Sequence, residues 1–215
     1  DDAVVTITTL GVTHTLTYEA SYGVYYILNA TLGVNPGQTY VLNASAPGFT
    51  AVSASTTVPA TNSFNLQVNE VSTTPPSSSI GTPRMYKYDV NVNYFNNYYY
   101  RLAESFYHVD TMSGTNDTLI GNSFDTFYDE STANGGVISD QVDAFTDIYE
   151  EPYGYHYGFY FDLIVSGYDY FKFHQSISNY TGGDPFAEPS LIYTNMTNGY
   201  GIFAGYLKVT VKKHY

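Results

Sequence analysis

The sequence predicts a mainly β protein: a small N-terminal β-sandwich of immunoglobulin or transthyretin type, followed by a larger β-sandwich unit with one packed helix. Three observations predict it. Apolar and aromatic residues alternate with polar ones at period two along most of the chain. Gly, Pro and Asn interrupt that alternation at the short intervals that separate strands of a sandwich. A helical period appears convincingly only over residues 168–180. With 215 residues, 25 Tyr and 13 Phe but only 13% charged residues, the chain has ample material for a core and none of the bias of a disordered protein.

The first unit is expected over residues 1–60. Val5 and Ile7, Leu16 and Tyr18, the set Tyr22, Val24, Tyr26 and Leu28, then Tyr40 and Leu42, and finally Val52 mark successive short strands. Gly11, Gly23 and Asn35-Pro36-Gly37 supply the turns, and no window reads as helix. From Val71 to Pro83 the composition shifts to Ser, Thr and Pro, as in a linker or a long loop crossing the sandwich. Phe64, Leu66 and Val68 alternate just before it, so a strand of the second unit is expected there and the boundary falls near residue 61.

The second unit, residues 61–215, opens with a strand through Met85, Tyr86, Tyr88, Val90, Val92 and Tyr94. Asn96-Asn97 makes a turn, and Tyr98 to Tyr107 is expected to return as the hairpin partner. An acidic, Gly- and Asn-rich region follows from Asp110 to Gly136. Asp140, Asp143 and Asp147 then have the spacing of one solvated face of a short helix. Around the aromatic strand from Tyr155 to Val165, the set Tyr153, Tyr155, Tyr157, Phe159 and Phe161 faces inward if the strand covers a core, and His156, Tyr160 and Asp162 then face out. The helix places Tyr170, Phe173, Ile177 and Tyr180 on one face. Ser166-x-x-Asp169 has the form of a capping box, and Gly182-Gly183 stops the helix before a last strand from Tyr206 to Val211.

Several function classes lose ground at once. A net charge of −13 with few, scattered cations opposes binding to nucleic acid or direct docking on anionic lipid. The chain has no Cys, hence no disulfide, thiolate metal site or cysteine nucleophile. No stretch reaches the roughly 18 apolar residues of a membrane helix. No G-x-S-x-G, H-E-x-x-H or P-loop is present, and His14, His108, His156, His174 and His214 are dispersed, so no enzyme activity and no cofactor are expected.

Three sets of residues remain as candidates. Asp125, Asp129 and Glu130 supply the oxygen ligands that a hard cation such as calcium takes, although no EF-hand spacing accompanies them. Tyr98, Tyr99, Tyr155 and Tyr157 are candidate contacts for a partner or a glycan, since an exposed ring stacks on sugars and anchors protein interfaces. Cross-strand aromatic pairing inside a core explains the same residues more simply. Thr111 and Thr118 stand in Asp110-Thr111-Met112 and Asp117-Thr118-Leu119, which either match an Asp-Ser/Thr-aliphatic O-glycosylation pattern or arise by chance in a Thr-rich loop. All three readings are expectations from residue type and spacing.

The order of features resembles a family of Bacteroidota outer-membrane lipoproteins known as domain of unknown function 4249. The resemblance rests on Pro36-Gly37-Gln38-Thr39-Tyr40-Val41-Leu42, on the strand Ser53 to Pro59 ending in Val-Pro, and on the aromatic helix start Tyr168-Asp169-Tyr170-Phe171. It continues through Asp184-Pro185-Phe186-Ala187-Glu188-Pro189 and an Asn-x-x-x-Gly-x-Gly-x-Phe-x-Gly run from Asn195 to Gly205. The resemblance implies an exported lipoprotein of the outer membrane, at the cell surface or on its periplasmic face. It further implies a signal, a lipid-bearing Cys and a first strand upstream of Asp1, and a non-enzymatic role beside a TonB-dependent receptor in uptake or assembly. The alternative is a carbohydrate-binding or adhesion module using exposed tyrosines.

Overall fold

The computed structural model describes residues 2–60, 64–74, 85–110, 118–145, 155–180 and 191–215. The protein is mainly β, built of several antiparallel sheets with one substantial helix. Its chain divides into two compact units: Asp1–Asn62 with Val165–Leu207, and Ser63–Ile164 with Lys208–Tyr215.

In the first unit the strands are β1 (Val4–Thr9), β2 (Val12–Thr15), β3 (Thr17–Glu19), β4 (Val24–Tyr26), β5 (Thr39–Ser45) and β6 (Val52–Thr57). Four of them form an antiparallel sheet in the order β2-β1-β5-β6, while β3 and β4 make a separate hairpin. Every second residue of a strand turns to the same side. Ile7 and Tyr40 are thereby buried, and with Val58 they gather Leu16, Ile27, Leu32, Leu42, Phe203 and Leu207 around them. The Tyr40 hydroxyl donates to Gly33 O at 2.8 Å and accepts from Asn35 N at 2.9 Å, so its polar end is satisfied as the ring is buried. A one-turn helix, α1 (Asn29–Leu32), lies where only strands were expected, and Gly33 ends it at φ 68°.

The second unit has two sheets. One orders β11 (Val137–Phe145), β8 (Met85–Asn93) and β7 (Leu66–Thr74); the other orders β10 (Thr118–Tyr128), β9 (Tyr99–Asp110), β12 (Tyr155–Ser166) and β13 (Tyr206–His214). Rings from β8 meet rings from β12: Tyr86 lies 5.3 Å from Phe159 and Tyr88 lies 4.9 Å from Phe161, both edge to face. All four are buried, and burying one ring of this size stabilises by about 1.5–3 kcal/mol. The predicted inward set of the aromatic strand is thus in place for Tyr157, Phe159 and Phe161. Tyr160 and Asp162 are half-buried on the other face, the latter 3.1 Å from Lys208 Nζ.

Several expectations need correction. The strand from Tyr98 to Tyr107 is not the hairpin partner of β8: β9 joins the other sheet, so the Asn96-Asn97 turn carries the chain between sheets. The Ser/Thr/Pro-rich stretch joins neighbours of one sheet, since Thr74 pairs with Met85, and is neither an inter-unit linker nor a crossing. Asp140 and Asp143 lie on strand β11, on opposite faces; Asp140 accepts from the buried Tyr128 hydroxyl at 2.8 Å, and Asp143 faces Lys87 at 3.8 Å. Asp147 lies outside the described residues.

The helix, α2 (Tyr168–Ser178), groups with the N-terminal strands and not with the rest of residues 61–215. Its N-cap is Gly167 without a side-chain bond, so the Ser166 capping box does not form. Tyr170 and Phe171 are its buried residues, whereas Ile177 and Tyr180 are exposed. It packs through its first turn, and the apolar stripe of its last turn faces out.

Candidate functional site

A surface depression of about 460 Å3 in the second unit is lined by Tyr94, Asn97, Tyr98, Tyr99, Asp129, Glu130 and Ser131. Local chemistry fixes its walls. The turn after β8 holds Asn97 in the left-handed region at φ 69°, a conformation Asn tolerates better than most residues. The Tyr100 hydroxyl accepts from Phe95 N at 2.8 Å, and Phe64 sets its ring edge to face against Phe95, Tyr98 and Tyr100 at 5.6–6.3 Å. Tyr94 N donates to Gly136 O at 2.9 Å, which ties the turn to the segment entering β11.

The acidic wall is a one-turn 3-10 helix, Glu130–Thr132, capped by Asp129. The Asp129 carboxylate accepts from Ser131 N at 2.9 Å, and Asp129 N donates to Thr132 Oγ1 at 3.1 Å, completing a capping box. Glu130 is exposed beside it. Burial and the nearby Glu130 and Asp129 carboxylates push the Tyr94 phenol above its ordinary range, so it stays a neutral hydrogen-bond donor. The depression therefore offers half-buried phenol rings, an amide and two carboxylates. Such a lining suits recognition by stacking and hydrogen bonding.

The structure sorts the sequence candidates unevenly. Tyr98 and Tyr99 come together here and are half-buried. Tyr157 is buried, with its hydroxyl 2.7 Å from that of Tyr86, so as a surface contact it is excluded by its own place in the core. The side chain of Tyr155 lies outside the described residues, as do Thr111 and the side chain of Thr118. Asp129 and Glu130 share the depression, but Asp125 pairs with the Arg101 guanidinium at 2.8 Å on the β9–β10 ladder. Among the described residues no group of three or more His, Asp or Glu is placed to hold a metal ion; of the candidate trio, Asp125 is taken up by an ion pair and Asp129 by a helix cap, while Glu130 is exposed. Tyr94, Asn97 and Ser131 were not singled out from the sequence. The Asn96-Asn97 turn was the available signal for the first two, once read as a link between sheets.

A profile for a domain of unknown function, DUF4249, matches residues 1–212. The chain belongs to this family. A comparison with curated proteins finds no match. No helix of the described residues is long and apolar enough to cross a membrane, which leaves spanning by strands untouched.

The glycine-rich run that signalled DUF4249 in the sequence is structural here. Thr197 pairs with Ser53 at the edge of β6, with N–O distances of 2.8 and 3.3 Å. A Cβ on Gly199 would stand 2.8 Å from Val52 Cγ1, and one on Gly205 2.7 Å from Val58 Cγ2. Gly205 N also donates to Thr56 Oγ1 at 2.8 Å. The DUF4249 run thus lies against an edge strand and covers part of it, which explains its small residues without a ligand. The Asp184 to Pro189 segment lies outside the described residues.

Proposed function

We propose that this DUF4249 protein is a non-enzymatic accessory lipoprotein of the bacterial outer membrane, associating with a TonB-dependent receptor in uptake or assembly. The depression formed by Tyr94, Tyr98, Tyr99, Asp129 and Glu130 is the contact surface. That depression is the observation supporting the reading. Rings held by a packed turn lose little freedom on docking, and aromatic side chains dominate the energetics of protein interfaces. The setting itself is carried over from what the resemblance to this family implies. Purification of the native protein in mild detergent tests the association. Recovery with a receptor, lost in a Tyr98→Ala/Tyr99→Ala variant that still folds, is the expected result. Recovery of the wild type as a free monomer overturns it.

A second reading, carbohydrate binding, is favoured by the same lining, because Asn97, Asp129 and Glu130 place hydrogen-bonding groups beside the rings. A glycan array separates the two. Binding of a defined glycan that the same double variant abolishes would favour the sugar; an empty array leaves the receptor reading in place.

A further inference from the structure

One end of the first unit carries three aromatic rings with little cover: Tyr22 is 81% exposed, Phe49 80% and Tyr200 97%. The strand registers bring them together. Val4 at the start of β1 pairs with Ser45 at the end of β5, and Ala44 pairs with Val52, so the β5–β6 turn bearing Phe49 lies at the end where β1 begins. Thr197 pairs with Ser53 and Asn198 Nδ2 donates to Ala51 O at 3.3 Å, which sets Tyr200 beside the start of β6 at that same end. The Tyr25 hydroxyl donates to Ala3 O at 3.1 Å, which brings the β3–β4 hairpin, with Tyr22 at its tip, to that end too.

The surroundings carry no cation, and two acids lie among them: Asp2 just ahead of β1, and Glu19, whose backbone O accepts from Tyr22 N at 3.3 Å. Residues 1–60 contain no Lys or Arg, and their only acids are Asp1, Asp2 and Glu19; residues 191–207 contain no charged residue. The three large rings stand singly and exposed on separate turns. They match the chemistry of a bilayer's headgroup region, where Tyr in particular is favoured because its ring prefers apolar contact while its hydroxyl stays wet. Lack of cations makes the match one to zwitterionic, not anionic, lipid.

We propose that this end of the unit faces a membrane and that Tyr22, Phe49 and Tyr200 enter the interface of a zwitterionic bilayer. The inference rests on the lipoprotein reading, and it adds a stated orientation: β1 starts at the membrane side, so an anchor joined ahead of it would hold these rings against the surface. Each ring adds modest affinity, so the rings orient a protein that is already tethered.

The chain has no Cys, so a single introduced Cys takes an environment-sensitive fluorophore at one position only. The full chain, with an N-terminal His tag, is bound to phosphatidylcholine vesicles through a nickel-chelating lipid. The tether replaces any native anchor. Labels on Tyr22→Cys, Phe49→Cys and Tyr200→Cys are expected to brighten severalfold and shift to the blue. A label on Leu10→Cys, 84% exposed at the opposite end of β1, is expected to stay unchanged. Silence at positions 49 and 200, or an equal response at position 10, overturns the proposal. A response at positions 49 and 200 that needs receptor-containing membranes in place of pure lipid overturns it in favour of a protein surface. The anchor itself is read separately, from the intact mass of protein extracted from native membranes, so either idea can fail alone.

Discussion

The side-chain amide of Asn195 closes a loop on Phe203, donating from Nδ2 to Phe203 O at 2.9 Å and accepting from Phe203 N at 3.0 Å. Its Nδ2 also reaches Asp169 Oδ2 at 3.2 Å, so one residue joins the glycine-rich run to the first turn of α2. Asn195→Ala removes these bonds and is expected to lower stability by about 2–3 kcal/mol, at roughly 1 kcal/mol for each hydrogen bond. Asn195→Asp should cost more, because it loses the donor and sets a second carboxylate beside Asp169. Urea unfolding gives the measurement: the midpoint falls with the slope unchanged. An unchanged midpoint for both variants refutes the clamp.

Close approach at two glycines predicts a graded series. A Cβ on Gly158 in β12 would stand 2.0 Å from Lys213 O and 2.6 Å from the Tyr107 hydroxyl, with backbone on one side that has no room to move. Gly205→Ala meets Val58 at 2.7 Å from a methyl and 3.3 Å from Cα. Overpacking of this kind costs about 1–3 kcal/mol or more. Gly158→Ala is therefore expected to unfold or misassemble the second unit, and Gly205→Ala to fold with a lowered melting temperature. Gly167→Ser, where nothing lies within 4 Å, should be tolerated and should add the N-cap bond that α2 lacks.

Two phenols and a carboxylate form a hydrogen-bonded chain: the Tyr88 and Tyr215 hydroxyls lie 2.7 Å apart, and the Tyr215 hydroxyl donates to Glu70 Oε2 at 2.5 Å. Tyr88→Phe and Tyr215→Phe are each expected to cost about 1–2 kcal/mol, because one change strands part of the network. The double variant should cost less than the sum, with a coupling of about 0.5 kcal/mol or more. Strict additivity in a double-mutant cycle would break the proposed relay.

Alkaline pH should weaken the fold through these same phenols. Burial raises the Tyr100 phenol to about 12, and the hydrogen bond to Asp169 followed by burial raises Tyr193 to about 12. Burial first, aided by hydroxyl or carboxylate neighbours, pushes Tyr88, Tyr128 and Tyr215 higher still. An unfolded phenol releases its proton near pH 10. Above that pH the unfolded chain holds fewer protons than the folded one, so stability falls as pH rises. The buried Tyr100 alone contributes a slope of up to about 1.4 kcal/mol per pH unit between roughly pH 10 and 12. Denaturant midpoints that are flat between neutrality and about pH 9 and then decline are expected. No decline above pH 10 would contradict the assignment.

At the candidate contact surface, Tyr98→Ala with Tyr99→Ala should leave the core rings untouched, since both side chains are only half-buried. Far-ultraviolet circular dichroism should match the wild type, and stability should drop by at least the loss of the Phe64–Tyr98 ring contact, about 1 kcal/mol, without loss of cooperative unfolding. Partner recovery should fall sharply. Loss of the fold in this variant would mean that the rings are structural and the surface lies elsewhere.

Much of this architecture was legible because alternation writes itself into strands. Tyr86, Tyr88, Val90 and Val92 are all buried on β8, and Leu66 and Val68 precede them on β7 as expected. What alternation does not encode is which strand a turn leads to. Asn96-Asn97 has the same local chemistry whether the chain reverses beside its neighbour or passes to the other sheet. Asp140 and Asp143 suggested a helix because a spacing of three suits it, yet Ile138, Val142 and Ala144 between and around them already carried a period of two. Tyr98 and Tyr157 looked alike in the sequence. Only the assignment of faces, which depends on strands distant in sequence, separates a ring at the surface from one in the core.

The division of the chain into Asp1–Asn62 with Val165–Leu207, and Ser63–Ile164 with Lys208–Tyr215, has a temporal side. As the polypeptide leaves the ribosome, neither unit can finish first in one piece. The earlier one waits for its helix and covering loop until residue 207 has been made, and the later one waits for most of its last strand. Each half-built unit exposes a sheet edge that its own missing segment would cover, so the long interval is when stray pairing is most costly. A cut near residue 62 would split the first unit alone: residues 1–62 hold only its opening part, and residues 63–215 hold all of the second unit with the rest of the first. Expression of residues 1–62 alone should give an aggregating peptide, and co-expression with residues 63–215 should restore soluble protein.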